Sequence, residues 1–316
     1  MLRISTSENS RRRKSGVSPS YYEIHRYWRS TSHFAIVPSK PVCTTTVAGA
    51  LLRFMSKMEL YNGNLIEAWR LADRAYQLQP SNPEDIANLA QTWVMLGEPD
   101  EAEKLVLEGL EASEQNMALL GTHMQTLLVQ RRYEEAESML REQMDIYGDE
   151  MPDSLRRKFN MQLGLIAMVR GDLLKARGLL VAALPEQDEP TYSGDEIMIL
   201  TLAALATDEM GDEQTAAEML EQAERIIKRG RLNGVDNSGI YYSEAVILTM
   251  REDYPRAMEK LQEAYNRGFR EKWVLDIDGR LEPLRNQPEF IGLMDQITED
   301  ISRAKAEIRS LSLASL

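Results

Sequence analysis

The sequence predicts an all-α fold: a solenoid of helix-turn-helix repeats closed by a C-terminal capping segment. Three observations carry the prediction. First, the stretch GNLIEAWRLADRAYQLQP at Gly63–Pro80 sets two small residues, Ala68 and Ala75, seven apart behind a glycine, and the frame recurs at Gly97/Ala102/Gly109, Arg131/Ala136/Gln143, Gly171/Ala176/Ala183, Gly211/Ala216/Ala223 and Glu252/Ala257/Ala264. Seven residues is two helical turns, so both small positions fall on one stripe. Second, the first alanines follow one another at 34, 34, 40, 40 and 41 residues, which is the period of a supersecondary repeat. Third, other positions keep the same register. Nine residues before each first alanine stand Glu59, Trp93, Leu127, Ala167, Thr207 and Leu248; twelve before stand Ser56, Ala90, Met124, Gly164, Ala204 and Ala245. Small side chains let two antiparallel helices approach closely, and the larger ones fill the space alongside.

The elements follow in order. Residues 1–46 are rich in Ser and Thr, carry Arg11-Arg12-Arg13-Lys14, hold eight Lys/Arg against two Asp/Glu, and show no helical period. They are expected to be a disordered tail. A nucleic-acid arm, a membrane-surface anchor, an organellar targeting peptide and an early start codon all stay open. Residues 47–271 hold six repeats. The first spans 47–80, turning at Asn62-Gly63-Asn64 and stopping at Pro80, with Ser81-Asn82-Pro83 capping the next helix. Units of standard length follow at 83–116 and 117–150. Gly148–Pro152 breaks the chain, and Asp153 or Ser154 is expected to cap the fourth unit, 157–184. Pro185–Pro190 reads as a loop, the fifth unit runs from about 195 to 229, Gly230–Gly239 is a loop, and Tyr241–Arg267 is the sixth unit. The longer late intervals place extra residues in polar linkers near Gly148–Arg156, Glu186–Asp195 and Arg229–Ser238. Residues 272–316 form the capping segment, whose last helix carries Phe290, Ile291, Met294, Ile297, Ile301, Ala304 and Ile308 on one stripe. A solenoid end exposes an apolar face and needs such a cap.

The run Ile86-Ala-Asn-Leu89-Ala90-Gln-Thr-Trp93 followed by Gly97-Glu-Pro-Asp-Glu-Ala102, and the set Asn160, Leu163-Gly164, Ala167, Gly171, Ala176, Leu180 and Ala183, resemble the tetratricopeptide repeat family. The resemblance covers about 47–271 and implies a right-handed superhelix whose first helices line a concave groove. The terminal proline of the family pattern is present only at Pro80. After Gly268 the text Trp273, Asp276-Ile-Asp278, Leu281-Glu-Pro283-Leu284-Arg285 and Pro288-Glu-Phe290 is similar to the tail of tetratricopeptide domains of bacterial signalling effectors, such as adenylate cyclases and winged-helix regulators. That similarity implies a bacterial origin and a regulatory role.

Charge and chemistry narrow the function classes. The chain carries 37 Lys/Arg and 50 Asp/Glu. Beyond residue 46 the balance is strongly acidic, which repels phosphate backbones, so the repeat body is not expected to bind nucleic acid. One cysteine, Cys43, excludes an intrachain disulfide and fits a reducing, cytoplasmic setting. The longest apolar run, Ile197–Thr207, is too short to span a bilayer. Only His25, His33 and His123 are present, without metal-ligand spacing, and there is no glycine-rich phosphate loop or nucleophile elbow. No catalytic residue, cofactor or metal is expected. The expected function is a non-catalytic scaffold holding a protein, peptide or helix in the concave groove. The alternative is a regulatory or sensory module acting in trans on a cyclase or transcription regulator. Groove-facing positions implied by the resemblance are Arg53, Lys57, Gln91, Val94, Gln125, Leu128, Met161, Leu165, Met168, Thr201, Leu205, Tyr242 and Val246.

Overall fold

A computed structural model of the protein describes residues 41–185 and 192–314. The basic tail and the Pro185–Pro190 loop therefore fall largely outside the described residues. Among the described residues every regular element is a helix. α1 (Pro41–Tyr61) pairs with α2 (Leu65–Leu78), α3 (Pro83–Met95) with α4 (Pro99–Ala112), α5 (Met117–Val129) with α6 (Tyr133–Tyr147), α7 (Asp153–Val169) with α8 (Leu173–Ala183), α9 (Gly194–Glu209) with α10 (Glu213–Leu232), and α11 (Ser238–Met250) with α12 (Tyr254–Asn266). Then come a short α13 (Lys272–Ile277), a 3₁₀ turn (Gly279–Leu284) and the long α14 (Pro288–Ala314). The described residues from Val42 onward form one compact unit.

The turn inside each pair explains the glycine of the repeat. Residue 63, 97, 131, 171, 211 or 252 has positive φ, between 60° and 86°. Its N–H bonds the carbonyl three residues back, as Gly97 does to Val94 (3.0 Å), and the next N–H reaches five back, as Glu98 does to Trp93 (2.9 Å). The same two bonds recur in all six pairs, at Gly63–Asn64, Arg131–Arg132, Gly171–Asp172, Gly211–Asp212 and Glu252–Asp253. This doubly bonded left-handed turn satisfies carbonyls that the end of a helix would leave unpaired, and glycine enters it without Cβ strain. The carbonyl receiving the longer bond belongs to the position nine before the first alanine, so that register is set by the backbone as well as by side-chain packing.

The stripe positions are the helix contacts. Ala68, Ala75, Ala102, Ala136, Ala176, Ala216, Ala223, Ala257 and Ala264 are all buried. At Gly164 a methyl group would stand 2.7 Å from Leu180 Cγ, so the backbone of α7 there meets a side chain of α8 directly. Ser56, twelve residues before Ala68, is fully buried and donates to the Ala68 carbonyl at 2.8 Å, while Asn88 donates to Ser56 at 3.1 Å. Neighbouring units are also tied by charge. Glu137 in α6 accepts from Arg141, and from Arg170 and Lys175 of the next unit; the Arg141 and Lys175 bonds bring its carboxyl down to about 2.

Several local expectations need correction. α1 starts at Pro41, upstream of the boundary placed at 47. Asp153 and Ser154 do not cap α7; Pro152 holds the N-cap position and Asp153 is already helical. The added residues of the late units lengthen helices as well as linkers: α7 has 17 residues and α10 has 20, against 13 in α3. α10 runs through the expected Arg229–Ser238 linker as far as Leu232 and ends in a left-handed turn at Gly234. On α14, Leu293 joins the buried stripe, whereas Ile291 is 49% exposed. Elsewhere Asn82 accepts from the N–H groups of Glu84 and Asp85 and so caps α3.

The C-terminal elements do more than cover the last pair. α14 lies against α12 and also against α2 of the first pair. Phe290, Leu293, Ile297, Ile301, Ala304 and Ile308 share one continuous core with Leu65, Trp69 and Ala72 of α2. Lys305 reaches Glu98 at 2.6 Å. The turn after α12 meets the turn after α1 backbone to backbone: a Cβ on Gly268 (φ 103°) would lie 2.3 Å from the Asn62 carbonyl carbon. The two ends of the solenoid therefore touch.

Candidate functional site

First helices of successive pairs contact one another, α3 with α5, α7 with α9, and α9 with α11. They thus form the inner layer of the curve, and the positions expected to face a ligand lie on them. The structure divides those positions into three groups.

At the start of the chain, Arg53 is half-buried and pairs with the fully buried Asp85 of α3, while Lys57 is exposed. Along α3, α5 and α7, Val94 and Leu128 are buried, and Gln91, Gln125, Met161, Leu165 and Met168 are half-buried. Met161, Leu165 and Met168 flank a core cluster built from Ala167, Ala176, Leu180 and Ile199, so each is partly used in packing. In the last two units, Thr201 and Val246 are buried, and Leu205 and Tyr242 are half-buried.

The third group meets the chain's own C-terminal segment. The 3₁₀ turn Gly279–Leu284 lies against α9 and α11. Arg280 donates from Nε and Nη2 to the two Asp278 oxygens, at 2.8 and 2.7 Å, and from Nη1 to the Thr201 hydroxyl. The Tyr242 hydroxyl donates to Asp278, and the Arg280 N–H donates to Asp278 Oδ1 at 3.0 Å. Gly279 sits beside Leu205. Phe269 stacks on the Tyr242 ring with centroids 4.9 Å apart and planes 12° from parallel. Leu275, Leu281 and Leu284 are fully buried. Trp273 reaches the cluster of Ile86, Ala90, Val94 and Leu119 in the early units. Arg285 donates to the Asp276 carbonyl at 2.8 Å and the Asp278 carbonyl at 3.2 Å, which fixes the segment's own backbone.

The electrostatics follow from enclosure. Burial alone would raise the Asp278 carboxyl, but the Arg280 charge and the hydrogen bonds from Arg280 and Tyr242 outweigh it and hold the group below the usual carboxylate range. Burial pushes the Tyr242 hydroxyl well above its ordinary value, and the adjacent Asp278 charge adds to that. An ionised Asp278 thus accepts from a neutral Tyr242 hydroxyl inside the protein, a holding arrangement in which neither group titrates near neutral pH. Among the described residues no group of three or more His, Cys, Asp or Glu is placed to hold a metal. His123 is half-buried 3.7 Å from Glu103, and burial lowers its pKa.

A second concavity, of about 650 Å³, lies where the ends meet. Gly63, Asn64 and the first turns of α2 form one wall, Arg303, Ala304 and Glu307 of α14 the other. Its Arg270 is held by Asp300 at 2.9 Å and lies 4.0 Å above the Tyr265 ring.

Register puts Thr201, Leu205 and Tyr242 on the inner layer, but nothing in the repeat pattern names the segment that meets them there. The signal was present in Asp278-Gly279-Arg280, a charged pair within a run of leucines, which carries no helical period to betray its burial. The motif Leu281-Glu-Pro283-Leu284-Arg285 thereby acquires a packing role: the leucines anchor the turn and the arginine ties its backbone.

No protein-family model matches the sequence, and no curated protein matches it. Among solved structures the chain is similar to a tetratricopeptide repeat protein from Parabacteroides merdae, at 15% identity and a TM-score of 0.48, covering 89% of this chain and 90% of that one. It is also similar to pilF of Pseudomonas aeruginosa, at 17% identity and a TM-score of 0.47, covering 80% and 99%. A third is MamA from Desulfovibrio magneticus, at 18% identity and a TM-score of 0.42, covering 57% and 96%.

Proposed function

We propose that the chain is a non-catalytic protein–protein interaction scaffold that receives a peptide or helix on its inner layer. One observation carries the reading: that layer already receives a polypeptide segment, the chain's own, through Thr201, Leu205 and Tyr242. The remaining half-buried stretch, from Gln91 and Gln125 to Met161, Leu165 and Met168, offers amide groups and flexible thioethers to a partner. Methionine adapts to varied apolar surfaces because its chain is flexible and polarizable, and an amphipathic helix or extended segment matches such a surface. The acidic body disfavours nucleic acid as the partner. None of the described helices is long and apolar enough to cross a membrane, and we place the scaffold in the cytoplasm on its single cysteine.

The test is a double variant, Met161→Gln with Met168→Gln, in the full chain. A protein partner recovered by the wild type should be lost by a variant that melts at the same temperature. Equal recovery by both would remove the inner layer of the middle units as the binding surface.

A further inference from the structure

The segment from Gly268 to Arg285 is held in the manner of a bound peptide. It contributes no helix pair: α13 has six residues and the following turn six more. Its contacts divide into apolar anchors and a single polar turn. Leu275, Leu281 and Leu284 are fully buried, and Phe269 lies flat on Tyr242. Asp278 and Arg280 meet two hydroxyls of the inner layer, Tyr242 as donor and Thr201 as acceptor.

Two features make the arrangement reversible in principle. Within residues 272–285 the charges pair with one another, Lys272 with Asp276, Asp278 with Arg280 and Glu282 with Arg285, whereas Arg270 just before them pairs with Asp300 of α14; departure of 272–285 therefore separates no ion pair from the helices and uncovers the Tyr242 and Thr201 hydroxyls. The Trp273 indole N–H is buried in the docked arrangement with no hydrogen-bond partner, and an unpaired buried donor weakens docking.

We propose that the inner layer of the last two units is a recognition site for an Asp-x-Arg turn followed by leucine on a protein partner, and that residues 272–285 occupy it in the unbound chain as a tethered competitor. This rests on the scaffold reading above and adds the chemistry of the ligand and its regulation. A tethered competitor acts at an effective concentration of roughly millimolar, so only a partner presenting the same turn, or one that first loosens the segment, gains access.

The experiment uses a synthetic peptide of residues 268–287, fluorescently labelled, against the full chain and its Arg280→Gln variant, in which the resident turn is weakened. The peptide should bind the variant at least tenfold more tightly than the wild type. A peptide carrying both Asp278→Ala and Arg280→Ala should bind neither. Binding of the altered peptide as well as the native one would overturn the proposal, as would absence of binding to a folded variant. Should the variant fail to fold, amide exchange on the wild-type chain decides: segment 272–285 should exchange ahead of α9 and α11, and exchange only together with them would mark a permanent part of the core. Neither readout involves Met161 or Met168, so failure here leaves the middle units standing as the scaffold's binding surface, and a failed methionine test removes the middle units without touching the last two.

Discussion

Arg280 is a buried arginine whose guanidinium is fully engaged with protein partners. It is 6% exposed, spans the Asp278 carboxylate with two bonds and bonds Thr201 with a third group. In an Arg280→Met variant the apolar volume is largely kept, and Asp278 retains only the Tyr242 hydroxyl and the backbone N–H of residue 280. Breaking a buried pair by removing one partner costs about 3–5 kcal/mol, because the remaining charge is left enclosed. Replacing both partners is different: an Asp278→Leu, Arg280→Met double variant removes both charges, and apolar replacement of a buried pair is often close to neutral. The double variant should therefore be more stable than Arg280→Met alone by at least about 2 kcal/mol, a strongly non-additive cycle. Urea unfolding of the four proteins, followed by far-ultraviolet circular dichroism, measures it. An Arg280→Met cost below about 1 kcal/mol, or additive costs, would show that the pair is solvated and that the segment is not enclosed by α9 and α11.

Three other predictions follow from the geometry. Arg131 and Glu252 hold the left-handed turn position where other units have glycine; Arg131→Gly and Glu252→Gly should each stabilise by about 0.5–1 kcal/mol, and Gly97→Ala should destabilise by about 1 kcal/mol, read as shifts in the urea midpoint. Gly164→Ala places a methyl 2.7 Å from Leu180 Cγ and should cost about 1–3 kcal/mol despite the better helix propensity of alanine, a penalty that Leu180→Ala in the same chain should partly relieve. The Asp278 carboxyl is depressed in the folded chain, so its contribution is fully present above the ordinary value of 3.8 and is lost as pH falls through the lower folded value; stability measured from pH 6 down to pH 2 should fall less steeply in an Asp278→Asn variant than in the wild type.

The repeat was legible because its cause is local. The small residues at 68 and 75 and their counterparts mark helix contacts, and the glycine marks a left-handed turn, so periodicity and turn chemistry point to the same paired helices. Helix ends were read less well. The sequence near Arg229–Ser238 is polar enough to look like a linker, yet α10 continues to Leu232 because Gly230 is buried against the Tyr192 ring and Arg231 is held by Glu244 and Asp236. The return of α14 to α2 was not legible at all. Ile297, Ile301 and Ile308 announce an apolar stripe, but a stripe does not name its partner, and contact with Leu65 and Trp69 depends on how far six pairs curve. The same holds for the inner layer. Register places Thr201 and Tyr242 on the first helices, whereas Asp278 and Arg280, which bond them, lie outside any repeat and become recognisable only when the turn that carries them is placed.

The C-terminal helix α14 returns to α2 at the start of the solenoid within one chain. Lys305 Nζ lies 2.6 Å from Glu98 Oε1, within reach of zero-length coupling. Carbodiimide treatment of the dilute, monomeric protein followed by peptide mass spectrometry should yield a Glu98–Lys305 amide in the monomer fraction, abolished by Lys305→Gln. Recovery of that link only between two chains, or its absence while the Lys260–Glu263 pair at 2.9 Å is coupled in the same sample, would contradict the closed arrangement.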